Sequence, residues 1–234
     1  MKNLCLIPAR AGSKGVPGKN TKPLNGTPLL EYTFQAALKA NSFDRIIIST
    51  DDPQAAITAY DNNVDVPFLR PGHLAQDNTP TFDVVYHAVN FFEQIGEHYD
   101  LVCLLQPTCP FRDDGFIDQC IHKLIVSGAD SLCSVKKIPH QYNPHWAFEA
   151  DDSGFLKVAT GETTIITSRQ KLPDTFIRDG SVYIFRTDVI LNQKNLYGNN
   201  ITYLESDNQW HVNIDTKDDW YKAEMIANVL CSVN

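Results

Sequence analysis

An apolar run, Leu4 to Ile7, gives way at Pro8 to a long loop carrying Gly12, Gly15, Pro17, Gly18, Pro23 and Gly26. From Pro28 the apolar residues Leu29, Leu30, Tyr32, Phe34, Ala37 and Leu38 recur at helical spacing, with the proline suited to the first turn. Strand, glycine loop and helix in that order restrict the chain to an α/β architecture. The rest of the first 135 residues repeats the alternation. Arg45 to Thr50 reads as a buried β-branched strand, with Asp51 and Asp52 before Pro53 capping the helix that follows; a direct catalytic part for either aspartate is not expected. Val66 to Leu69 reads as a short strand, Phe82 to Ile95 as a helix, Leu101 to Leu105 as a strand, Asp113 to Ser127 as a helix and Ala129 to Val135 as a strand. The expected fold is a Rossmann-like, doubly wound and mostly parallel α/β sheet, with ligand sites at the carboxyl ends of its strands.

The rhythm breaks between Lys137 and Asp179, where Pro139, Tyr142, Pro144, Trp146, Phe148, Phe155, Pro173 and Phe176 interrupt short alternating pieces. We expect an inserted β-rich arm over 137–179, with residues 1–136 and 180–234 forming the α/β domain. Aromatics on such an arm need a partner surface, either a second copy of the chain in a homodimer or the chain's own sheet. Ser181 to Phe185 and His211 to Ile214 read as further strands and Asp218 to Leu230 as a closing helix, with no additional domain expected after it.

Charge narrows the ligand. The chain carries a net charge of −8, which argues against a general nucleic-acid or membrane surface. Yet no acidic residue precedes Glu31, while Lys2, Arg10, Lys14, Lys19 and Lys22 all fall in that stretch. A basic, acid-free segment in an acidic protein points to a small polyanion. Glycines let the backbone approach phosphate oxygens, Arg10 offers a bidentate fork, and Lys14 and Lys19 offer point charges. The loop is not a Walker loop, because five residues separate Gly12 from Gly18 and Asn20 stands where Ser or Thr is required. A GxGxxG fingerprint is also absent. Six cysteines without a CxxC pair and histidines without HxH or HxxxH spacing leave reduced thiols and no histidine-built metal site. The apolar runs are too short for a membrane span or a signal-peptide core, so a cytoplasmic protein is expected.

Seven motifs then occur in series: Ile7-Pro-Ala-Arg-x-Gly-Ser-Lys-Gly with Lys19-Asn20, Pro28-Leu-Leu-Glu-Tyr-Thr, Ser49-Thr-Asp-Asp, Leu69-Arg-Pro, Leu104-Leu-Gln-Pro-Thr-x-Pro-Phe-Arg112, Arg169-Gln-x-Leu-Pro and Ile214-Asp-Thr. In this order they resemble the acylneuraminate cytidylyltransferases, the family of the CMP-sialic acid synthetases and the related CMP-legionaminic and CMP-pseudaminic acid synthetases. The resemblance implies a nucleotide-diphospho-sugar transferase fold and a cytidylyltransferase that couples CTP to a nine-carbon 2-keto acid sugar, with Mg²⁺ as cofactor and pyrophosphate as second product. It implies that Arg10, Gly12, Ser13, Lys14, Lys19 and Asn20 hold the nucleotide together with Arg70 and Thr81, and that Gln106 and Arg169 meet the sugar, Arg169 often across a subunit boundary. It also implies that Arg10, Lys19 and Asp215 are catalytic, with Asp215 the metal ligand. The sequence departs from a common family pattern by carrying Asn213 where an aspartate is usual, which puts a two-carboxylate metal site in doubt. Asp215 has an alternative reading as the N-cap of the closing helix. Two other functions stay open: a CMP-Kdo-type synthetase, whose family usually lacks the Lys-Asn pair and the Ser-Lys-Gly of the loop, and a catalytically silent CTP-binding protein.

Overall fold

The computed structural model describes residues 1–233. In chain order the elements are β1 (Asn3–Ala9), the small hairpin β2 (Pro23–Leu24) and β3 (Thr27–Pro28), α1 (Leu29–Lys39), β4 (Arg45–Thr50), α2 (Pro53–Asp61), α3 (Thr81–Gln94), β5 (Leu101–Leu104), α4 (Phe116–Ser127), β6 (Ser131–Lys137), β7 (Phe148–Ala150), β8 (Leu156–Val158), β9 (Phe176–Arg186), β10 (Ile201–Glu205) and α5 (Lys217–Val233). Six strands form the main sheet in the order β10-β6-β9-β5-β1-β4. β1 runs parallel to both β4 and β5, and β6 parallel to β10, whereas β9 is antiparallel to β5 and β6. Among the described residues no helix is long and apolar enough to cross a membrane.

Alternation along β1 feeds two cores. Cys5, Ile7 and Ala9 pack on one face with Phe34 and Ala37 of α1, Ala55 and Ala59 of α2 and Ile121 and Leu124 of α4. Leu4 and Leu6 pack on the other with Val85, Ala88, Val89 and Phe92 of α3. A third cluster matters most for function. It joins Val16 of the glycine loop, Leu24, Phe111, Val212, Ile214 and Trp220, so the loop after β1 and the segment before α5 share one apolar anchor.

Two expected strands are not formed. Around Val66 to Leu69 the chain makes only single bridges, Asp65 to Ile47 just before it and Leu69 to Thr50 at its end, because Pro67 has no N–H to give a ladder. His211 to Ile214 is extended but outside the sheet; Ile214 N–H donates to Thr108 O instead, at 2.9 Å. The sheet edge is built by β10, which the sequence pattern does not disclose because neither of its faces is fully covered.

β9 begins at Phe176, inside the segment expected to belong to the arm. Its pairing with β6 is broken between Cys133 opposite Tyr183 and Val135 opposite Arg178, so Ser134 alone faces Asp179 to Val182. Gly180, at φ +82°, takes up this arch. The remainder of residues 137–179 forms two short helical turns, the β7–β8 hairpin and a turn at Arg169–Lys171. Tyr142, Phe148, Phe155, Leu156 and Ile165 of this segment are all exposed.

Candidate active site

The chain leaves β1 towards β4 on one side and returns through α3 to β5 on the other, so the loops after β1 and β5 diverge at a topological switch point. A cleft of about 370 Å³ opens there, lined by residues of five separate segments, among them Arg10, Lys19, Arg70, Thr81, Gln106 and Asp215. Gly12, Ser13, Asn20 and Asn213 also line it. Of the expected nucleotide and catalytic residues only Lys14 is outside this wall, and of the expected sugar residues only Arg169.

The glycine loop is held open by neutral and charged braces. Ala11 N–H donates to Asp51 Oδ1 at 2.9 Å, and the Asn20 amide donates to Arg10 O at 3.0 Å. Asp52, not Asp51, caps α2 by accepting from Gln54 N–H at 2.9 Å. Gly15 lies so close to the segment before α5 that a Cβ there would sit 1.8 Å from Asp215 O. Arg10 and Lys14 both pair with Asp77, at 2.5 and 2.6 Å, and the bonds from Lys14 and then Arg10 hold the exposed Asp77 carboxyl below the usual carboxylate range. One carboxylate thus gathers the two cations expected to meet phosphate.

Lys19 is placed differently from a free phosphate ligand. Its ammonium is buried, donates to Ile214 O at 2.5 Å and lies 3.6 Å from Asp215 Oδ1. Burial lowers its pKa, with Asp215 acting in the opposite direction. Lys19 therefore ties the glycine loop to the aspartate's backbone as well as presenting charge to the cleft. Arg70 is also buried; it donates to the hydroxyl of Ser49 at 3.0 Å and to the Ser49 carbonyl, and burial pulls its pKa down to about 10.

Asp215 is not the helix cap. Thr216 N–H donates to Asp219 Oδ2 at 2.8 Å and Asp219 N–H donates back to Thr216 Oγ1 at 3.2 Å, a reciprocal cap that leaves the Asp215 carboxylate out of the capping and about two-thirds exposed. The Asn213 amide donates to Asp215 Oδ2 at 3.2 Å, so the two side chains share one side of the chain even though no strand forms there.

At the other end, Gln106 forms the boundary between the main cleft and an adjoining compartment of about 210 Å³ walled by Leu104, Arg178, Tyr183, Phe185 and Tyr197. Sequence reasoning passed over Arg178, Tyr183 and Tyr197; the available signal was the glycine at 180 interrupting an apolar strand, which marks a bulge near a ligand. The arch brings Gly180 within 3.8 Å, measured from its would-be Cβ, of Gln106 Oε1. Asp179 O accepts from His211 Nε2 at 2.6 Å, which fixes that nitrogen as the protonated one. Arg169 is exposed on the arm and lines neither compartment.

Comparisons with known proteins bear on the family and the fold. Residues 4–221 match the model of a family described as cytidylyltransferase. The chain is 34% identical over 231 residues, 98% of its length and 97% of the relative's, to CMP-N,N'-diacetyllegionaminic acid synthase of Legionella pneumophila. It is 36% identical over 125 residues to pseudaminic acid cytidylyltransferase of Campylobacter jejuni, a match covering 53% of this chain and 54% of the relative. Among solved structures, CMP:2-keto-3-deoxy-manno-octonic acid synthetase complexed with CTP superposes with a TM-score of 0.74 over 97% of this chain and 99% of that one, at 16% identity.

Proposed function

Because this chain belongs to the cytidylyltransferase family, we propose that it transfers the cytidylyl group of CTP to a nine-carbon acidic sugar of the sialic, legionaminic or pseudaminic type. The anomeric oxygen attacks the α-phosphorus, the bond from that phosphorus to the bridging oxygen breaks, and pyrophosphate leaves. The observation that carries this reading is the two-ended cleft: a basic glycine loop faces a second compartment across Gln106. Phosphoryl chemistry of this kind needs positioned positive charge more than covalent help. Arg10 and Lys14 supply it once the triphosphate takes the place of the Asp77 carboxylate, while Arg70 and Thr81 stand at the nucleoside end. Leu104, Tyr183 and Phe185 give the second compartment apolar walls suited to acyl groups, and Arg178 gives it a cation for the sugar's carboxylate.

A magnesium ion fits this site in one way. Among the described residues no group of three histidine, cysteine or acidic side chains converges. Asp215 offers one exposed carboxylate, while Asn213 turns its amide nitrogen towards Asp215 and its oxygen towards Cys109, so the fit is to an ion carried in on the triphosphate with its waters and resting on Asp215. Bound there, it would neutralise charge on the α-phosphate and the departing pyrophosphate. The acceptor is tested by comparing turnover with CTP and Mg²⁺ across N,N'-diacetyllegionaminic, pseudaminic, N-acetylneuraminic and Kdo acids. A diacylated nine-carbon acid is expected to lead, and a preference for Kdo would sink the nine-carbon assignment.

We also propose that the arm pairs two copies of the chain and that Arg169 reaches the partner's cleft. An apolar hollow of about 380 Å³ between β6, β9 and β10, walled by Val135, Phe176, Ile201 and Tyr203, offers such an arm a seat. Phe155→Asp combined with Leu156→Asp should convert a dimer to a monomer in sedimentation velocity; unchanged sedimentation would remove the arm from the interface. Free cysteines and CTP as substrate support a cytoplasmic location, which cell fractionation would check.

A further inference from the structure

Arg112 lies beside the cleft, partly buried, and is bonded to three neutral groups from three different segments. Its Nε donates to Ser181 O of β9 at 3.0 Å, one terminal nitrogen donates to Thr33 Oγ1 of α1 at 3.1 Å, and the other donates to Gln106 O at 2.8 Å. None of these is a carboxylate, and burial lowers the pKa of the guanidinium. Even a partly buried cation without a hydrogen-bonded counterion loses hydration that neutral partners replace only in part, and a hydrophobic side chain would fill the space more cheaply. A rigid planar fork is needed only if the three acceptors must be held at fixed separation, which the single ammonium of lysine cannot do.

What the fork holds is the loop 106–112. The same loop carries the Gln106 side chain at the boundary of the two compartments, and its other carbonyls accept from Ile214 N–H (Thr108 O, 2.9 Å) and from the Asn208 amide (Phe111 O, 2.9 Å). The acceptor side chain and the backbone next to Asp215 therefore hang from one clamped loop. The glycine loop after β1, which faces the phosphates, makes no bond to the fork.

We propose that Arg112 is a positioning residue that sets the acceptor sugar against the α-phosphate by fixing Gln106, without touching either substrate. This rests on the reading that Gln106 meets the sugar. Steady-state kinetics and CTP calorimetry on Arg112→Lys, Thr33→Val and Gln106→Ala test it. Arg112→Lys keeps the charge and loses the fork. It should raise the acceptor KM by about tenfold or more and leave CTP affinity within about twofold, since misplacing a reacting group by an ångström is enough for such losses. Thr33→Val, which removes one outer acceptor and nothing in the cleft, should shift the acceptor KM in the same direction by a smaller factor even if the lysine variant does not fold. If Gln106→Ala raises the acceptor KM but neither Arg112→Lys nor Thr33→Val does, the positioning role is overturned. An unchanged acceptor KM in Gln106→Ala would remove the reading on which the proposal rests. Loss of CTP affinity in step with acceptor affinity would make Arg112 a general structural residue.

Discussion

Asp215→Asn should lower kcat on the order of a thousandfold while CTP affinity and thermal stability stay close to wild type. The carboxylate is exposed, and the helix after it is capped by Thr216 and Asp219, so the substitution leaves the cap intact and weakens the ion pair with Lys19, whose ammonium keeps its bond to Ile214 O. Asn has the same shape and can still accept from the Asn213 amide. What it loses is the negative charge 3.6 Å from the Lys19 ammonium, the charge on which an ion carried by the triphosphate would rest. The loss should therefore fall on turnover and on the concentration of Mg²⁺ needed for half-maximal rate. Wild-type kcat in this variant would take Asp215 out of the reaction.

Gly15→Ala should reduce kcat/KM for CTP by about a hundredfold or more, because a loop displaced by an ångström no longer presents its cations in register. The added methyl would lie 1.8 Å from Asp215 O, a backbone atom that has no rotamer to escape into. Relief requires the loop and the segment before α5 to part, and both are tied into the apolar cluster through Val16 and Ile214. Overpacking of this kind costs roughly 1–3 kcal/mol of stability, so the variant should also melt earlier. Gly72→Ala is the matched control: nothing lies within 4 Å of its Cβ position, and both activity and melting should be unchanged. A Gly15→Ala enzyme with normal CTP kinetics would show that the loop and the Asp215 segment do not need their close approach.

How much of this was legible in the sequence depended on which forces leave a local trace. β1, β4 and β5 are buried on both faces and wrote themselves as apolar runs; α1, α3 and α4 wrote themselves as helical periods. β10 left none, since an edge strand with alternate residues exposed needs no apolar face. The same holds for the extended segment at His211 to Ile214, whose apolar residues serve a loop anchor and not a sheet. In the site, the basic glycine-rich segment pointed to Arg10 and Lys19, and the family resemblance to Arg70, Gln106 and Asp215; the fold brings all five to the wall of one cleft, but these signals had limits. They did not disclose that Asp77 gathers Arg10 and Lys14, that Lys19 is tied to Ile214 O, or that an arch in β9 brings Arg178 and Tyr183 to the second compartment. Each of those depends on residues tens to hundreds of positions apart, which no local pattern encodes. Arg112 stands at the end of the motif that begins at Leu104, but its meaning comes from Thr33 and Ser181, which only the fold supplies.

The most direct test of the account is the stoichiometry of the reaction with purified protein, CTP, Mg²⁺ and a diacylated nine-carbon 2-keto acid. One pyrophosphate released for each CMP-sugar formed, and none without the acid, is the predicted result. Tight CTP binding with no acceptor-dependent pyrophosphate from any nine-carbon acid would contradict it and leave a nucleotide-binding protein without this chemistry.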